Sequence, residues 1–231
     1  MRNRHVLLTG GSGGLGQGVT PLLLAQGALI TLPYINQTEV DQLRQLLAPA
    51  ELARIRFVEA DLSHEGQVQQ LVDSMSHLDV LVHLVGGFSM GSTTEYGLDQ
   101  WHANLQINLT TTFLLCKHSL RRMQSHGYGR IVTVGSGAAQ SPPAQMAAYS
   151  AAKAGVVAFT QAIAAETKGT NITANTVLPS VIDTAANREA LGQAQADQWV
   201  TPQSLGQVIC FLASEAARDI RGAAVPVFGN V

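Results

Sequence analysis

The sequence has few charged and few aromatic residues. Charged side chains make up 13% of the 231 residues and aromatic ones 5%, whereas hydrophobic residues account for 46%. This composition excludes a disordered chain and predicts a large buried core. The formal net charge is −2 and no basic run occurs. Because nucleic-acid surfaces need clustered Lys and Arg, we expect no nucleic-acid partner.

Cysteine is scarce, and histidine lacks the spacing of a metal site. The two cysteines, Cys116 and Cys210, lie in apolar stretches, which is typical of small core residues in a reducing compartment. The seven histidines are scattered, so no metal site is predicted. No apolar run approaches the roughly 20 residues of a membrane span, and no signal peptide is visible. We therefore expect a cytoplasmic protein that does not bind membranes.

Short apolar runs alternate with helical patterns along the whole chain. The runs that predict strands are 6–9, 28–32, 56–60, 79–85, 130–134, 172–178 and 224–228. The patterns that predict helices include 41–47, 68–75, 98–123, 147–165 and 203–213. Such alternation predicts an α/β protein with a mostly parallel, seven-stranded, doubly wound sheet between two helical layers. No linker or repeat divides the chain, so we expect one domain over residues 1–231.

A glycine-rich turn, Gly10–Gly16, lies between the first strand and an apolar-periodic segment. Glycines let a backbone approach a pyrophosphate, and a helix N-terminus offers free N–H groups to it. The alternative, a flexible linker, does not fit a turn between a strand and an amphipathic helix. Glycine or polar residues also follow three later strands at Asp61, Gly86 and Ser136. Parallel strands bring these ends to one edge of the sheet, where ligands bind in this class of fold.

Tyr149 and Lys153 lie four residues apart in the Ala-rich stretch. On a helix they share a face. A nearby ammonium favours phenolate, so we expect the tyrosine pKa to fall from about 10 toward neutrality. A phenol of that kind can exchange a proton during catalysis. Taken alone, the pattern also fits a surface tyrosine packed on a lysine stem.

Together these features resemble the short-chain dehydrogenase/reductase family over nearly the whole chain. The family's Thr-Gly-x-x-x-Gly-x-Gly loop matches Thr9–Gly16, and its Tyr-x-x-x-Lys pair matches Tyr149 and Lys153. Its catalytic serine and asparagine match Ser136 and Asn108. The resemblance implies a Rossmann-like fold and an NAD(P)-dependent oxidoreductase that acts on a carbonyl/alcohol pair.

The resemblance also implies roles for these four residues. Tyr149 would be the acid or base, and Lys153 would lower the tyrosine pKa and bind the nicotinamide ribose. Ser136 would hydrogen-bond the substrate oxygen, and Asn108 would hold a water in a proton relay to Lys153. Taken alone, Asn108 also fits a helix-surface amide and Ser136 a turn at a strand end.

The cofactor positions implied by the resemblance are Thr9, Gly10, Ser12, Gly14, Leu15, Gly16, Asn36, Asp61, Leu62, Gly86, Tyr149, Lys153, Pro179, Ile182 and Thr184. On its own, Asp61 could equally cap the helix that follows it. After the second strand, at 33–36, neither an acidic residue for a ribose 2′-hydroxyl nor an arginine for a 2′-phosphate occurs. Asn36, Gln37 or Thr38 could bond the phosphate, so the sequence leans weakly to NADP(H) over NAD(H).

Two departures from the family pattern concern the substrate side. His83 lies where the family often has asparagine, and we expect a buried, hydrogen-bonded histidine rather than a catalyst. The expected substrate lid, 185–199, carries Arg188, which would be a solvated charge or would meet an acidic substrate. Candidate lining residues are Phe88, Gln140, Met146 and Trp199, although packing explains each of them equally well.

The resemblance further implies a homotetramer or homodimer that contacts through its long helices, and a small-molecule partner. A small-residue face on the Ala-rich stretch suits close helix packing; it comprises Ala151, Ala154, Ala158, Ala162 and Ala165. Since one fold can carry several functions, the alternative is a nucleotide-binding sensor without dehydrogenase activity.

Overall fold

A seven-stranded parallel sheet forms the centre of the computed structural model, which describes residues 1–230. The strands are β1 (His5–Thr9), β2 (Leu29–Tyr34), β3 (Ile55–Glu59), β4 (Val80–His83), β5 (Gly129–Val134), β6 (Ile172–Pro179) and β7 (Ala224–Val227). Their order in the sheet is β3-β2-β1-β4-β5-β6-β7. The order reverses direction at β1, so the sheet is doubly wound, as predicted.

Helices cover both faces of the sheet. They are α1 (Gly16–Ala25), α2 (Gln37–Leu46), α3 (Pro49–Leu52), α4 (Glu65–Asp73), α5 (Leu98–Leu105), α6 (Thr111–His126), α7 (Ala147–Glu166), α8 (Ala185–Leu191) and α9 (Pro202–Leu212). Val6 and Leu8 of β1 belong to the core under α1 and α9, whereas Leu7 belongs to the core under α4 and α6. Successive strand side chains point to opposite faces, and this alternation produces the predicted three layers.

The long helix predicted over 98–123 is interrupted. A π-helical segment, Gln106–Thr110, separates α5 from α6. The Thr111 hydroxyl donates to the Ile107 carbonyl at 2.8 Å and the Thr112 hydroxyl to the Asn108 carbonyl at 2.7 Å. These side chains support the widened turn, a distortion that often marks functional sites.

Two prolines lie at or near the ends of elements on the β2–β3 side of the sheet. Pro33 belongs to β2 and pairs with Val58 of β3, whereas the pairing of β1 with β2 ends at Thr31. Proline is tolerated at position 33 because it has no backbone N–H, and the pairing with β1, which would need such a donor, has already ended. Pro49 does not merely follow a helix; it begins α3, at the first-turn position that suits proline.

Of the helices described in residues 1–230, none is both long enough and apolar enough to cross a membrane.

Glycine allows α1 and α9 to touch. A Cβ on Gly18 would contact the Pro202 side chain and lie 2.8 Å from the Pro202 carbonyl carbon. We expect Gly18→Ala to push the two helices apart and lower the free energy of unfolding by about 1–3 kcal/mol, as overpacking does. Urea denaturation measures this loss.

Gly66 in α4 supplies the matched control. A Cβ there would meet nothing within 4 Å. Since alanine forms helix better than glycine, Gly66→Ala should leave stability unchanged or raise it by up to about 1 kcal/mol. Equal losses in the two variants would contradict the close-contact explanation.

Candidate active site

The loops that follow β1, β4, β5 and β6 meet at the carboxyl edge of the sheet. All strand pairs are parallel, so these loops lie side by side. The motifs singled out in the sequence come together there, each placed by a different strand end or helix.

Tyr149 and Lys153 lie on one face of α7, as predicted. The Lys153 Nζ lies 5.8 Å from the centroid of the Tyr149 ring. The lysine is buried and donates a 2.9 Å hydrogen bond to the carbonyl of Val134, the last residue of β5. The amine is therefore held between α7 and the end of β5, and the pair is not a surface contact.

The expected fall of the Tyr149 pKa is wrong for the protein alone. Burial raises the tyrosine pKa above its ordinary value, and hydrogen bonding with Ser136 only partly opposes the rise. Burial also lowers the pKa of the Lys153 ammonium to about 8. The same desolvation that keeps the phenol protonated thus weakens the charge that was expected to ionise it.

Ser136 serves the local turn as well as the site. It follows β5, and its Oγ accepts a 3.2 Å hydrogen bond from the Ala138 N–H at the start of a short 3-10 turn. Its side chain also hydrogen-bonds with the Tyr149 phenol, which acts to lower the tyrosine pKa. The turn and site interpretations therefore both hold.

Asn108 is buried rather than a surface amide. Its Oδ1 accepts from the Gly87 N–H at 3.1 Å, and its Nδ2 donates to the Gly87 carbonyl at 2.9 Å and to the Asn104 carbonyl at 3.1 Å. A Cβ on Gly86 would lie 2.9 Å from Asn108 Oδ1 and 3.0 Å from Lys153 Nζ. Only glycine at position 86 lets these two polar groups lie so close to the chain.

His83 is the buried, hydrogen-bonded histidine that was predicted. Its Nδ1 lies 2.7 Å from the Thr9 hydroxyl and its Nε2 lies 3.4 Å from the Thr111 hydroxyl. Burial, aided by the charge of Lys153, lowers its pKa to about 3. Neutral His83 therefore links the start of the glycine loop to the first residue of α6, directly after the π-helical segment that carries Asn108.

The glycine-rich loop has the shape that a dinucleotide needs. Gly10 has a φ of +69°, which favours glycine, and a Cβ on Gly16 would overlap the Gly11 carbonyl. Gly16 begins α1, where Leu15 offers no side-chain cap and the first turn has no acidic residue. This helix end can take a pyrophosphate. The loop and the buried Thr9 before it thus fit the expected cofactor.

The residues after β3 only partly match their predicted roles. Asp61 does not cap α4, which begins at Glu65; its Oδ1 accepts from the Ser63 N–H at 2.8 Å and its Oδ2 lies 3.0 Å from His64 Nδ1. These hydrogen bonds, first of all those with Ser63, hold the Asp61 pKa below its ordinary value. Leu62 is buried in the core, so any cofactor contact there comes from its backbone.

Asn36 caps α2, because its Oδ1 accepts from the Thr38 N–H at 3.0 Å. The first turn of α2 also carries Glu39, which the sequence reasoning missed. The Ser12 hydroxyl donates to Glu39 Oε2 at 3.4 Å, from the glycine loop to the helix. The available signal was an acidic residue in the first turn after the second strand.

The segment after β6 forms a structured lid. Ile182, beyond Pro179 at the end of β6, bridges to Val200. The Thr184 hydroxyl accepts from the Asn187 N–H at 3.2 Å and caps α8. A Cβ on Gly14 would lie 3.1 Å from the Thr184 side chain, so the lid adjoins the glycine loop.

Of the two alternatives for Arg188, the structure shows the exposed charge: its side chain is 44% exposed and is paired with Asp183. Its Nε and Nη2 donate to the two carboxylate oxygens of Asp183 at 2.5 and 2.8 Å. The pairing raises the pKa of Arg188 and lowers that of Asp183. This fork-shaped pair ties α8 back to the start of the lid.

Of the four predicted lining residues, Phe88 is the one shown in contact with a candidate catalytic side chain. The Phe88 ring packs edge-on to Tyr149, with centroids 5.2 Å apart and planes at 82°, and it is 48% exposed. Trp199 is buried and belongs to the packing under the lid. Gln140 is exposed and Met146 half-buried. Phe88 is therefore the apolar wall next to the phenol.

Comparison with known proteins identifies the family. The family model described as short chain dehydrogenase matches residues 4–195. The chain belongs to the short-chain dehydrogenase/reductase family. It is 30% identical to the D-β-hydroxybutyrate dehydrogenase of Cupriavidus necator, with 96% of this chain and 95% of the relative covered. It is also 30% identical to the 3-oxoacyl-acyl-carrier-protein reductase FabG of Vibrio cholerae, with 100% and 98% covered.

A solved short-chain type dehydrogenase/reductase from Mycobacterium ulcerans superposes with a TM-score of 0.91 at 26% identity, over 100% of this chain and 90% of that one. As a member of the short-chain dehydrogenase/reductase family, the protein is an NAD(P)-dependent oxidoreductase of carbonyl/alcohol pairs. Nothing in these comparisons supports the alternative of a sensor without activity.

The buried Lys153 makes stability depend on pH. Its pKa is about 8 in the folded protein, against about 10.4 for an unfolded lysine. Between these values the unfolded chain binds more protons, so stability rises with pH in that window. Relative to Lys153→Met, the wild type should gain up to about 3 kcal/mol between pH 8 and 10.5. Urea denaturation across that range measures the gain.

The exposed Lys168 supplies the control. Lys168→Met should show a constant difference from the wild type across the same pH range. A constant difference for Lys153→Met as well would contradict the low pKa assigned to the buried lysine.

Proposed function

We propose that residues 1–231 act as one dinucleotide-binding domain that transfers a hydride between a nicotinamide and a carbonyl/secondary alcohol pair, with Tyr149 as acid or base. The observation that carries this proposal is the convergence of Lys153 Nζ and Asn108 Oδ1 on Gly86, next to Tyr149. An amine, an amide and a phenol meet there on a loop whose glycines admit a cofactor.

A bound nicotinamide cofactor would supply or accept the hydride, and the side chains of this chain would hold and move the proton. Because burial holds the Tyr149 pKa high, the phenol is protonated at neutral pH and suits the acid role in carbonyl reduction. In that role its proton goes to the substrate oxygen. The Ser136 hydroxyl lies beside the phenol and can donate to the same oxygen, where negative charge develops.

Lys153 and Asn108 hold the site together. The Lys153 amine has one donor engaged with Val134, which leaves two for the ribose hydroxyls. Asn108 positions the Gly86–Gly87 segment through two hydrogen bonds with Gly87. Its Oδ1 lies close to Gly86, as does Lys153 Nζ, and the second lone pair of this oxygen would suit the predicted water of a proton relay.

The cofactor contacts follow the loops around this centre. The α1 N-terminus would hold the pyrophosphate through the loop that contains Gly14, Leu15 and Gly16. Asp61 would meet the adenine, and Ile182 and Thr184 the carboxamide end. The preference for NADP(H) stays a prediction from the sequence, and the contact of Glu39 with the glycine loop argues against it.

The substrate is a small carbonyl or alcohol compound, and two features support an apolar, uncharged flank next to its reacting carbon. Phe88 forms the wall beside Tyr149. The lid arginine is paired with Asp183, so a substrate carboxylate would have to compete with that pair. The relatives named above are a D-β-hydroxybutyrate dehydrogenase and a 3-oxoacyl-acyl-carrier-protein reductase. The substrates in these two names are therefore the first compounds to compare with apolar, uncharged carbonyl compounds.

A cytoplasmic homotetramer or homodimer accords with the exposed face of α7. Ala151, Ala158, Ala162 and Ala165 are exposed there, and on the neighbouring α6 Phe113 is 43% exposed. Small residues allow close packing of helices from a second copy. Cys116 and Cys210 are both free and buried, which is in keeping with a reducing compartment.

The proton donor can be tested by Tyr149→Phe. This variant should bind nicotinamide nucleotide as the wild type does, yet lose about 100- to 10,000-fold in turnover, the usual contribution of an acid/base group. Absorbance of the reduced cofactor across a carbonyl panel measures turnover. Tyr128→Phe is the control: it removes a hydroxyl at the opposite end of β5 and should leave turnover unchanged. Unchanged turnover in Tyr149→Phe would disprove the proposed role.

The oligomer can be tested by Ala158→Glu. A charge on the exposed face of α7 should convert the oligomer to monomer, because an unpaired carboxylate cannot be buried cheaply in an interface. Light scattering coupled to size exclusion measures the mass. Ala50→Glu, on the exposed surface of α3, should leave it unchanged. An oligomer that survives Ala158→Glu would exclude this face as the contact.

A further inference from the structure

We propose that Glu39 makes this enzyme select NAD(H) over NADP(H). The inference rests on the proposed function, since it concerns the nucleotide of the same site. β2 ends at Tyr34 without an acidic residue, and Glu39 lies in the first turn of the helix that follows, α2.

The Glu39 carboxylate lies against the middle of the glycine loop. Its Oε2 accepts from the Ser12 hydroxyl at 3.4 Å and would lie 3.7 Å from a Cβ on Gly13. Ser12 is only 3% exposed, so the carboxylate covers the outer side of a buried loop residue. Both contacts cross from α2 to the loop after β1.

This position is where the adenosine ribose of a bound dinucleotide is discriminated. β1 and β2 are paired neighbours, so the glycine loop and the start of α2 emerge side by side. In folds of this kind the pyrophosphate takes the loop, and an acidic group beyond the second strand accepts from the ribose 2′-hydroxyl. Glu39 supplies that carboxylate from the first turn of α2.

The surrounding charges do not favour a 2′-phosphate. Residues 5–43 contain no lysine or arginine. The first arginine beyond them, Arg44, pairs with Asp41 at 3.4 Å and stacks on Phe57. The positive N-terminal end of α2 could attract an anion, but Glu39 and the Asn36 cap already occupy it.

Some of the polar groups near the loop that could donate to a 2′-phosphate are already engaged, among them the Gln37 amide named in the sequence analysis. The single hydroxyl proton of Ser12 goes to Glu39. The Gln37 amide donates to Asp41 at 2.8 Å, and the Asn36 oxygen accepts from Thr38. A 2′-phosphate would find a carboxylate where it needs donors.

The repulsion is large enough to measure. A phosphate monoester carries between one and two negative charges near pH 7. At about 5 Å from a carboxylate in a water-exposed site, Coulomb's law gives roughly a tenfold effect on affinity. Because the site is open to solvent, salt should screen much of this effect.

The test measures binding rather than turnover. NADH and NADPH are titrated separately into the wild type, Glu39→Gln and Glu166→Gln, with nucleotide fluorescence as the readout. Glutamine keeps the shape of Glu39 and removes its charge, and Glu166 is an exposed residue at the end of α7 that serves as the matched charge control.

We expect the wild type and Glu166→Gln to bind NADH about tenfold more tightly than NADPH. Glu39→Gln should gain about tenfold for NADPH while its NADH affinity changes by less than about threefold. Raising the salt concentration to 1 M should reduce the difference between the NADH and NADPH affinities of the wild type. The ratio of the two affinities in Glu39→Gln should change little.

Equal affinities in the wild type, or a gap that survives in Glu39→Gln, would overturn the inference. Failure of the wild type to bind either nucleotide would overturn both this inference and the proposed function. The predicted affinity gap in a protein that reduces no carbonyl would support the inference and count against hydride transfer alone.

Discussion

The buried amine of Lys153 is the group around which the site is built. It projects from α7, donates to the Val134 carbonyl at the end of β5, and lies close to Gly86 after β4. One polar atom thereby joins two neighbouring strand ends to the helix that carries Tyr149. Its burial has a cost, which appears as a pKa lowered to about 8. The same exclusion of water strengthens every electrostatic contact that a bound substrate would make.

A second set of contacts aligns the cofactor side with the catalytic side. Neutral His83 lies between the hydroxyls of Thr9 and Thr111. Thr9 begins the glycine loop, and Thr111 follows the π-helical turn that buries Asn108. Histidine thus fills a place where the family often has asparagine, and it does so without charge. The arrangement explains how the chain departs from the family pattern while its four candidate catalytic residues stay together.

Much of the fold could be predicted, because the strands of a buried parallel sheet consist of short apolar runs that are visible in the sequence. The apolar run of β4 (Val80–His83), the glycine turn and the Tyr149–Lys153 spacing are local patterns with local causes. The direction of the Tyr149 pKa could not be predicted in the same way. Spacing brings the ammonium near, but burial decides the result, and burial depends on loops that are distant in the chain.

The sequence by itself determined the order of strands and helices, the sheet edge at which ligands bind, and the identity of the residues there. Periodicity and glycine placement act over a few residues, so they can be read along the chain. Only the tertiary structure decided what those residues touch. It placed Glu39 on Ser12, closed Arg188 onto Asp183 and widened the helix at Asn108. These contacts depend on how helices and loops pack at the sheet edge, and a side chain's partner is set there by geometry, not by its neighbours in sequence.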